Sequence, residues 1–291
     1  MQDLTDQVPR ADVFSQALSN RLPPYFREPQ RSDGLCEAYD TIARDPKYRH
    51  FVRIPERIIH CLNYFRIAGD CMAIREILQA YYLFIGVVDN AIDSGEMDAG
   101  RVVLYRFETS TPPGGETIIS DVVLITEVLK QHISADMHSV MLGKLRELYQ
   151  AVVSERAATS IESYIEQRKA VGSLTAELSY LLISPLLEGA HENLRAFMRQ
   201  VGAVGCIIDS IIDLNADHRL GLLGFKPTIR CSAKLTWCGL LDGLRLALRH
   251  PRLCRLFFQA IGDNVRDRFG RQSPALCSIM SNRKDAASIV A

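Results

Sequence analysis

The stretch Cys206-Ile-Ile-Asp209-Ser-Ile-Ile-Asp213-Leu-Asn-Ala-Asp217-His-Arg219 restricts the fold more than any other part of the chain. It is mostly apolar, yet an aspartate interrupts it at every fourth residue. On an α-helix a step of four turns the side chain by only about 40°. Asp209, Asp213 and Asp217 therefore form one nearly straight stripe. Ile207, Ile208, Ile211, Ile212 and Leu214 cover the other faces. Like charges four residues apart repel and weaken the helix that carries them. A helix that keeps such a stripe among isoleucines calls for a neutralising cation. Rows of carboxylate oxygens suit Mg²⁺.

A second stretch has the same character. Tyr81-Tyr-Leu-Phe-Ile-Gly-Val-Val-Asp89-Asn-Ala-Ile-Asp93 is an apolar run that ends in two aspartates four apart, with Glu96 and Asp98 just beyond. Two acidic helix ends, distant in sequence, can face each other across a cavity, hold Mg²⁺ between them, and through it hold a phosphate-bearing substrate. The alternative is that these aspartates cap helices or pair with nearby arginines.

Composition narrows the setting. The chain has 291 residues, 47% of them hydrophobic, enough for one sizeable core. Lys+Arg and Asp+Glu are equal at 34 each, so no global charge draws in nucleic acid or an anionic membrane. Eight cysteines lack CxxC or Cys/His zinc spacing and sit mostly in apolar helical sequence. They read as reduced core residues of a cytoplasmic protein. The first residues carry no basic-then-apolar signal, and no apolar run reaches 18 residues, so no membrane span is expected. The longest greasy stretch, Leu178 to Leu187, is too short.

Helical periodicity dominates and no useful alternating strand pattern exists. The expected architecture is all-α, a single-domain helical bundle of about ten helices. Residues 1–34, with Leu22-Pro-Pro-Tyr-Phe-Arg-Glu-Pro, form an irregular N-terminal arm, 35–270 the helical domain, and 271–291 a loose C-terminal tail. Within the domain, the stretch Thr159 to Leu187 is expected to be interrupted at Gly172. The acidic-stripe helix is expected over Glu192 to Asp217, and the next helix from Ser232.

Three further groups could carry chemistry. Tyr164, Arg168 and Gly172 share one helix face, and Arg168 could grip a phosphate through two parallel hydrogen bonds, beside Lys169. A surface arginine next to a packing glycine is the plainer reading. His218, Arg219, Lys226 and Arg230 surround a loop with Gly221 and Gly224, which could close over a diphosphate or simply be solvated. The aromatics Tyr81, Phe84, Tyr180 and Trp237 could line a pocket, although aromatics at helical spacing are usually core.

These motifs resemble a known family. Asp89-Asn-Ala-Ile-Asp93 is similar to the first aspartate-rich motif of class I isoprenoid (terpene) synthases, in its D-x-x-x-D form. Asp209, Asp213 and Asp217 have the spacing of the second metal motif. Tyr164-x-x-x-Arg168-x-x-x-Gly172 resembles the segment with the diphosphate-sensing arginine of bacterial terpene cyclases. Asp213 stands where many cyclases carry a hydroxyl residue, a feature shared with squalene and phytoene synthases and with large-substrate terpene synthases. The resemblance spans roughly residues 60 to 230.

It implies a helical cup in which Asp89, Asp93, Asp209, Asp213 and Asp217 bind Mg²⁺, about three ions. Arg168, Lys169, Arg219 and Lys226 would bind the diphosphate of a prenyl substrate. Asp89, Asp93 and Arg168 would carry the ionisation step. Tyr81, Phe84, Tyr180 and Trp237 would wall the cavity. The implied activity is a lyase that ionises a prenyl diphosphate and cyclises or deprotonates the cation. A prenyltransferase or head-to-head synthase joining two prenyl units is the alternative, and a non-catalytic isoprenoid-binding relative is a third. A homodimer is compatible with each.

Overall fold

The computed structural model describes residues 33–96, 98–109, 120–189 and 191–263. Among these, ten α-helices follow one another: α1 Asp33–Arg44, α2 Arg49–Val52, α3 Ile54–Phe65, α4 Cys71–Asp93, α5 Ala99–Glu108, α6 Asp121–Gln131, α7 Ala135–Arg156, α8 Ile161–Ile183, α9 Glu192–Arg219 and α10 Ile229–Arg249. Residues 254–263 are helical too. The one bridge between extended residues in the described set joins Gly69 to Leu187. The all-α expectation is met. The arm before residue 35 and the tail after residue 270 lie outside the described residues, except that α1 already begins at Asp33.

Helix α4 runs through the middle of the core. The Asp70 carboxylate starts it by accepting from the backbone N–H groups of Met72 and Ala73 at 3.0 and 3.1 Å. Gly95, at φ 100°, turns the chain away just past its end. Between them Ile74, Ile77, Leu78, Tyr81, Leu83, Phe84 and Val87 are all buried. The helix packs on α3, α6 and α8. By length and composition alone α4 is long and apolar enough to cross a membrane; 56% of its apolar window is buried inside the protein.

Helices α8 and α9 pack extensively on one another. The expected interruption at Gly172 does not occur, and α8 is continuous from Ile161 to Ile183. The missing side chain serves approach instead of bending. A Cβ on Gly172 would sit 2.2 Å from the Gly202 carbonyl oxygen, and one on Gly202 would sit 2.1 Å from that of Gly172. Only two glycines let the backbones cross at this distance. Gly202→Val is expected to destabilise the protein by about 3 kcal/mol or more, because backbone has to move. Gly143 of α7 has nothing within 4 Å of an added Cβ, so Gly143→Ala should stabilise by about 0.5–1 kcal/mol. Urea unfolding of the two variants tests both signs.

The acidic-stripe helix runs two residues past its expected end at Asp217, to Arg219. Gly221, at φ 73°, closes it: its N–H bonds the His218 carbonyl at 3.1 Å, and that of Leu222 bonds the Asp217 carbonyl at 2.9 Å. Helix α10 starts at Ile229, three residues earlier than expected, because the Thr228 hydroxyl accepts from the Cys231 N–H. The described cysteines 61, 71, 206, 231, 238 and 254 are all free thiols.

Candidate active site

Carboxylates crowd the C-terminal ends of three helices: Asp89 and Asp93 on α4, Glu155 on α7, and Asp209, Asp213 and Asp217 on α9. A helix C-terminus already carries partial negative charge, so acids are least favourable there. The fold brings these ends together. Asp89 feels the charges of Asp93, Asp209 and Glu155, and Asp217 feels those of Asp93, Asp209 and Glu155. The two aspartate motifs thus face one another.

Arg168 enters this cluster from α8. Its Nε donates to Ser210 Oγ at 2.9 Å, Nη1 to Glu155 Oε1 at 3.3 Å, and Nη2 to Asp209 Oδ2 at 3.3 Å. Ser210 Oγ also accepts from the Tyr164 hydroxyl at 3.1 Å and donates to the Cys206 carbonyl at 2.9 Å. Tyr164, Arg168 and Gly172 therefore all use the face of α8 that meets α9, as their spacing of four demands. Arg156, at the end of α7, donates to Asp93 at 3.3 Å. Among the described residues, five carboxylates, Asp89, Asp93, Glu155, Asp209 and Asp217, thus interact with the guanidiniums of Arg156 and Arg168.

Desolvation and this crowding of charge show in the titration of Asp89, Asp93 and Asp217. Asp89 is exposed at its own surface, although many protein atoms lie around it at longer range. Loss of surrounding water, then the charge of Asp93, push its carboxyl up to about 7, although Arg168 opposes this. Asp217 is pushed up to about 6, first by desolvation, against the pull of Arg168. Asp93 rises for the same first reason, with Arg156 and Arg168 opposing. Burial works against the Arg168 charge, but Glu155 and Asp209 outweigh it and hold the guanidinium charged well above its ordinary range.

A raised carboxylate has a definite sign of linkage. Between pH of about 4 and 7 the folded protein holds a proton on Asp89 that the unfolded chain has released, so stability falls as pH rises through that window. Above it the penalty is complete. Asp89→Asn should therefore raise the melting temperature more at pH 8 than at pH 5. An equal gain at both values, or a loss at pH 8, would show that Asp89 is not a repelled charge.

The donors are hard oxygens on facing helices, and the excess negative charge is what a divalent cation neutralises, so the set suits Mg²⁺ in kind. Among the described residues no three such side chains converge at metal-binding distance. As it stands, Arg168 holds Glu155 and Asp209 by direct contact and acts on Asp89, Asp93 and Asp217 through its charge.

Other residues singled out from sequence fall elsewhere. Lys169, one step round α8 from Arg168, pairs with Asp242 of α10 at 2.5 Å. Arg219 is exposed and donates to the Asn215 carbonyl at 3.2 Å; Lys226 is exposed on the loop after α9. That loop is anchored: Phe225 meets the Tyr164 ring edge-on at 5.7 Å, and a Cβ on Gly224 would lie 2.7 Å from the Ala158 carbonyl. Tyr81, Phe84 and Tyr180 are buried in the main core, with the Tyr81 hydroxyl donating to the Thr175 carbonyl at 2.8 Å. Trp237 is exposed to solvent on α10 and walls no part of the core. Glu155, Arg156 and Ser210 were missed by sequence reasoning. Ser210 could have been found as the neighbour of Asp209, whereas nothing in the pattern of α7 marks the other two.

Two hollows are found among the described residues, one of them bordered by the turn just past Asp93. The larger, about 390 Å³, is lined by Gly95, Glu96, Asp98, Ala99, Val102, Ser120 and Val122; the other lies between Phe65 and Leu194. Compared with known proteins, the chain matches no family model, no curated protein and no solved structure.

Proposed function

We propose that this chain is a Mg²⁺-dependent class I terpene synthase, which ionises one prenyl diphosphate and cyclises or deprotonates the resulting cation. The observation that carries the reading is the meeting of both aspartate motifs with Arg168 at one end of an all-helical bundle. In this reading Asp89, Asp93, Asp209, Asp213 and Asp217 would hold the metal, which would supply positive charge to offset that of a diphosphate leaving group. Arg168 exchanges its contacts with Glu155 and Asp209 for diphosphate oxygens, gripping two of them with its planar fork. Ser210 and Tyr164 hold the guanidinium at the correct angle from the Nε side.

A prenyltransferase needs a second cationic cluster for its second diphosphate. Of the arginines ahead of the first aspartate motif, Arg53, Arg57, Arg66 and Arg75, two are engaged with acids elsewhere: Arg57 with Asp263 at 3.0 Å and Arg75 with Glu56 at 2.6 Å. This favours the single-substrate reading. The test supplies prenyl diphosphates of several lengths, one at a time, with Mg²⁺. Diphosphate release with a hydrocarbon product, abolished by EDTA, supports the synthase. Inertness until isopentenyl diphosphate is added shows a prenyltransferase, and inertness throughout with retained binding shows a non-catalytic relative.

A further inference from the structure

The solvent side of α10 carries large apolar side chains. Leu235, Gly239 and Leu246 are buried against the bundle. Opposite them Trp237 is 62% exposed, Leu240 63%, Leu244 57% and Leu248 73%. Steps of three and four residues place these four on one stripe along the helix. Ile229, 90% exposed, lies at its N-terminal end. Single exposed apolar residues are ordinary on a protein surface; a continuous stripe with a tryptophan in it marks an interaction site.

Charge says what kind of partner fits. Residues 229–256 carry six basic residues, Arg230, Lys234, Arg245, Arg249, Arg252 and Arg255, against one acid, Asp242. The chain as a whole is neutral, so this segment concentrates positive charge. Lys234 meets Glu162 and Arg245 meets Asp242, which leaves the excess positive. On the helix Lys234, Arg245 and Arg249 flank one side of the apolar stripe.

We propose that this face docks on an anionic lipid surface, with α10 lying in the plane of the interface. Trp237 and the three leucines enter the boundary between headgroups and acyl chains, and the arginines meet lipid phosphates. Tryptophan suits that depth because one end of its ring is apolar and the other carries an N–H donor. Pairing with a second copy is disfavoured, since it brings two surfaces of the same net charge together. Nucleic acid would satisfy the arginines but leave the leucine stripe in water. The inference rests on α10 alone and holds or fails independently of the carboxylate cluster.

Trp237 is the chain's single tryptophan, so its emission reports this face and no other. The full-length chain is mixed with vesicles of phosphatidylcholine alone, or of phosphatidylcholine with phosphatidylglycerol, and followed by fluorescence and co-sedimentation. The expected result is red-shifted emission in buffer, a blue shift with co-sedimentation on the anionic vesicles only, and reversal by salt. Arg245→Gln and Arg249→Gln should each weaken vesicle binding roughly fivefold. Leu244→Asp should abolish it without changing the melting temperature, because that side chain is exposed. Three results would overturn the proposal: no shift and no sedimentation with anionic vesicles; blue emission before lipid is added, showing that the chain itself or a second copy covers the stripe; or preferential binding to duplex nucleic acid with no effect of Leu244→Asp.

Discussion

Arg168→Lys is expected to slow diphosphate release by about a hundredfold to a thousandfold while the protein stays folded. The guanidinium makes three directed contacts at once, to Ser210, Glu155 and Asp209. An ammonium keeps the charge that the surrounding carboxylates require, so the cluster does not lose its counter-ion. It cannot, however, reproduce a planar two-pronged grip on diphosphate oxygens. Removing one preorganised donor from a developing anion has an effect of this size. The rate constant at saturation should carry most of the loss, because the contact strengthens as charge moves onto the diphosphate. If Arg168→Lys lowers the melting temperature but turns over at the wild-type rate, Arg168 only ties α7, α8 and α9 together.

Asp89→Asn is expected to abolish Mg²⁺-dependent turnover, by about a thousandfold or more, in a protein that is more stable above neutral pH. The two effects have one cause. Crowding by protein, Asp93 and Asp209 makes the ionised Asp89 unfavourable in the fold. Asparagine removes the repulsion and with it one negative oxygen that a cation would bind. A residue kept for packing behaves otherwise, losing stability and activity together. Activity and melting temperature measured on the same preparation at pH 8 therefore separate the readings. Wild-type turnover in Asp89→Asn would remove Asp89 from the site.

Much of this arrangement is written locally. The all-helical class follows from periodicity, because apolar residues three and four apart leave no other way to bury one face. The two aspartate stripes and the Tyr164–Arg168–Gly172 face are legible because residues at intervals of four on a helix must point the same way. That Arg168 is the residue of its pair to face the cluster is not legible. Arg168 and Lys169 differ by one step of about 100° round α8. Only the crossing of α8 over α9, set by the contact of Gly172 with Gly202, decides which of them faces Asp209 and which Asp242.

Glu155 and Arg156 illustrate the same limit. They reach the site because the turn between α7 and α8 folds the end of α7 back beside α4 and α8, where Arg156 meets Asp93 and Glu155 meets Arg168. Trp237 shows the reverse: its spacing with Leu240, Leu244 and Leu248 defines a face, but α9 packs on the other side of α10 and leaves that face in solvent. The sequence by itself determined which residues share a helix face, since that depends only on the 3.6-residue turn. The tertiary structure alone decided which faces meet, because that depends on how closely two backbones can approach and on where each chain reversal sends the next helix.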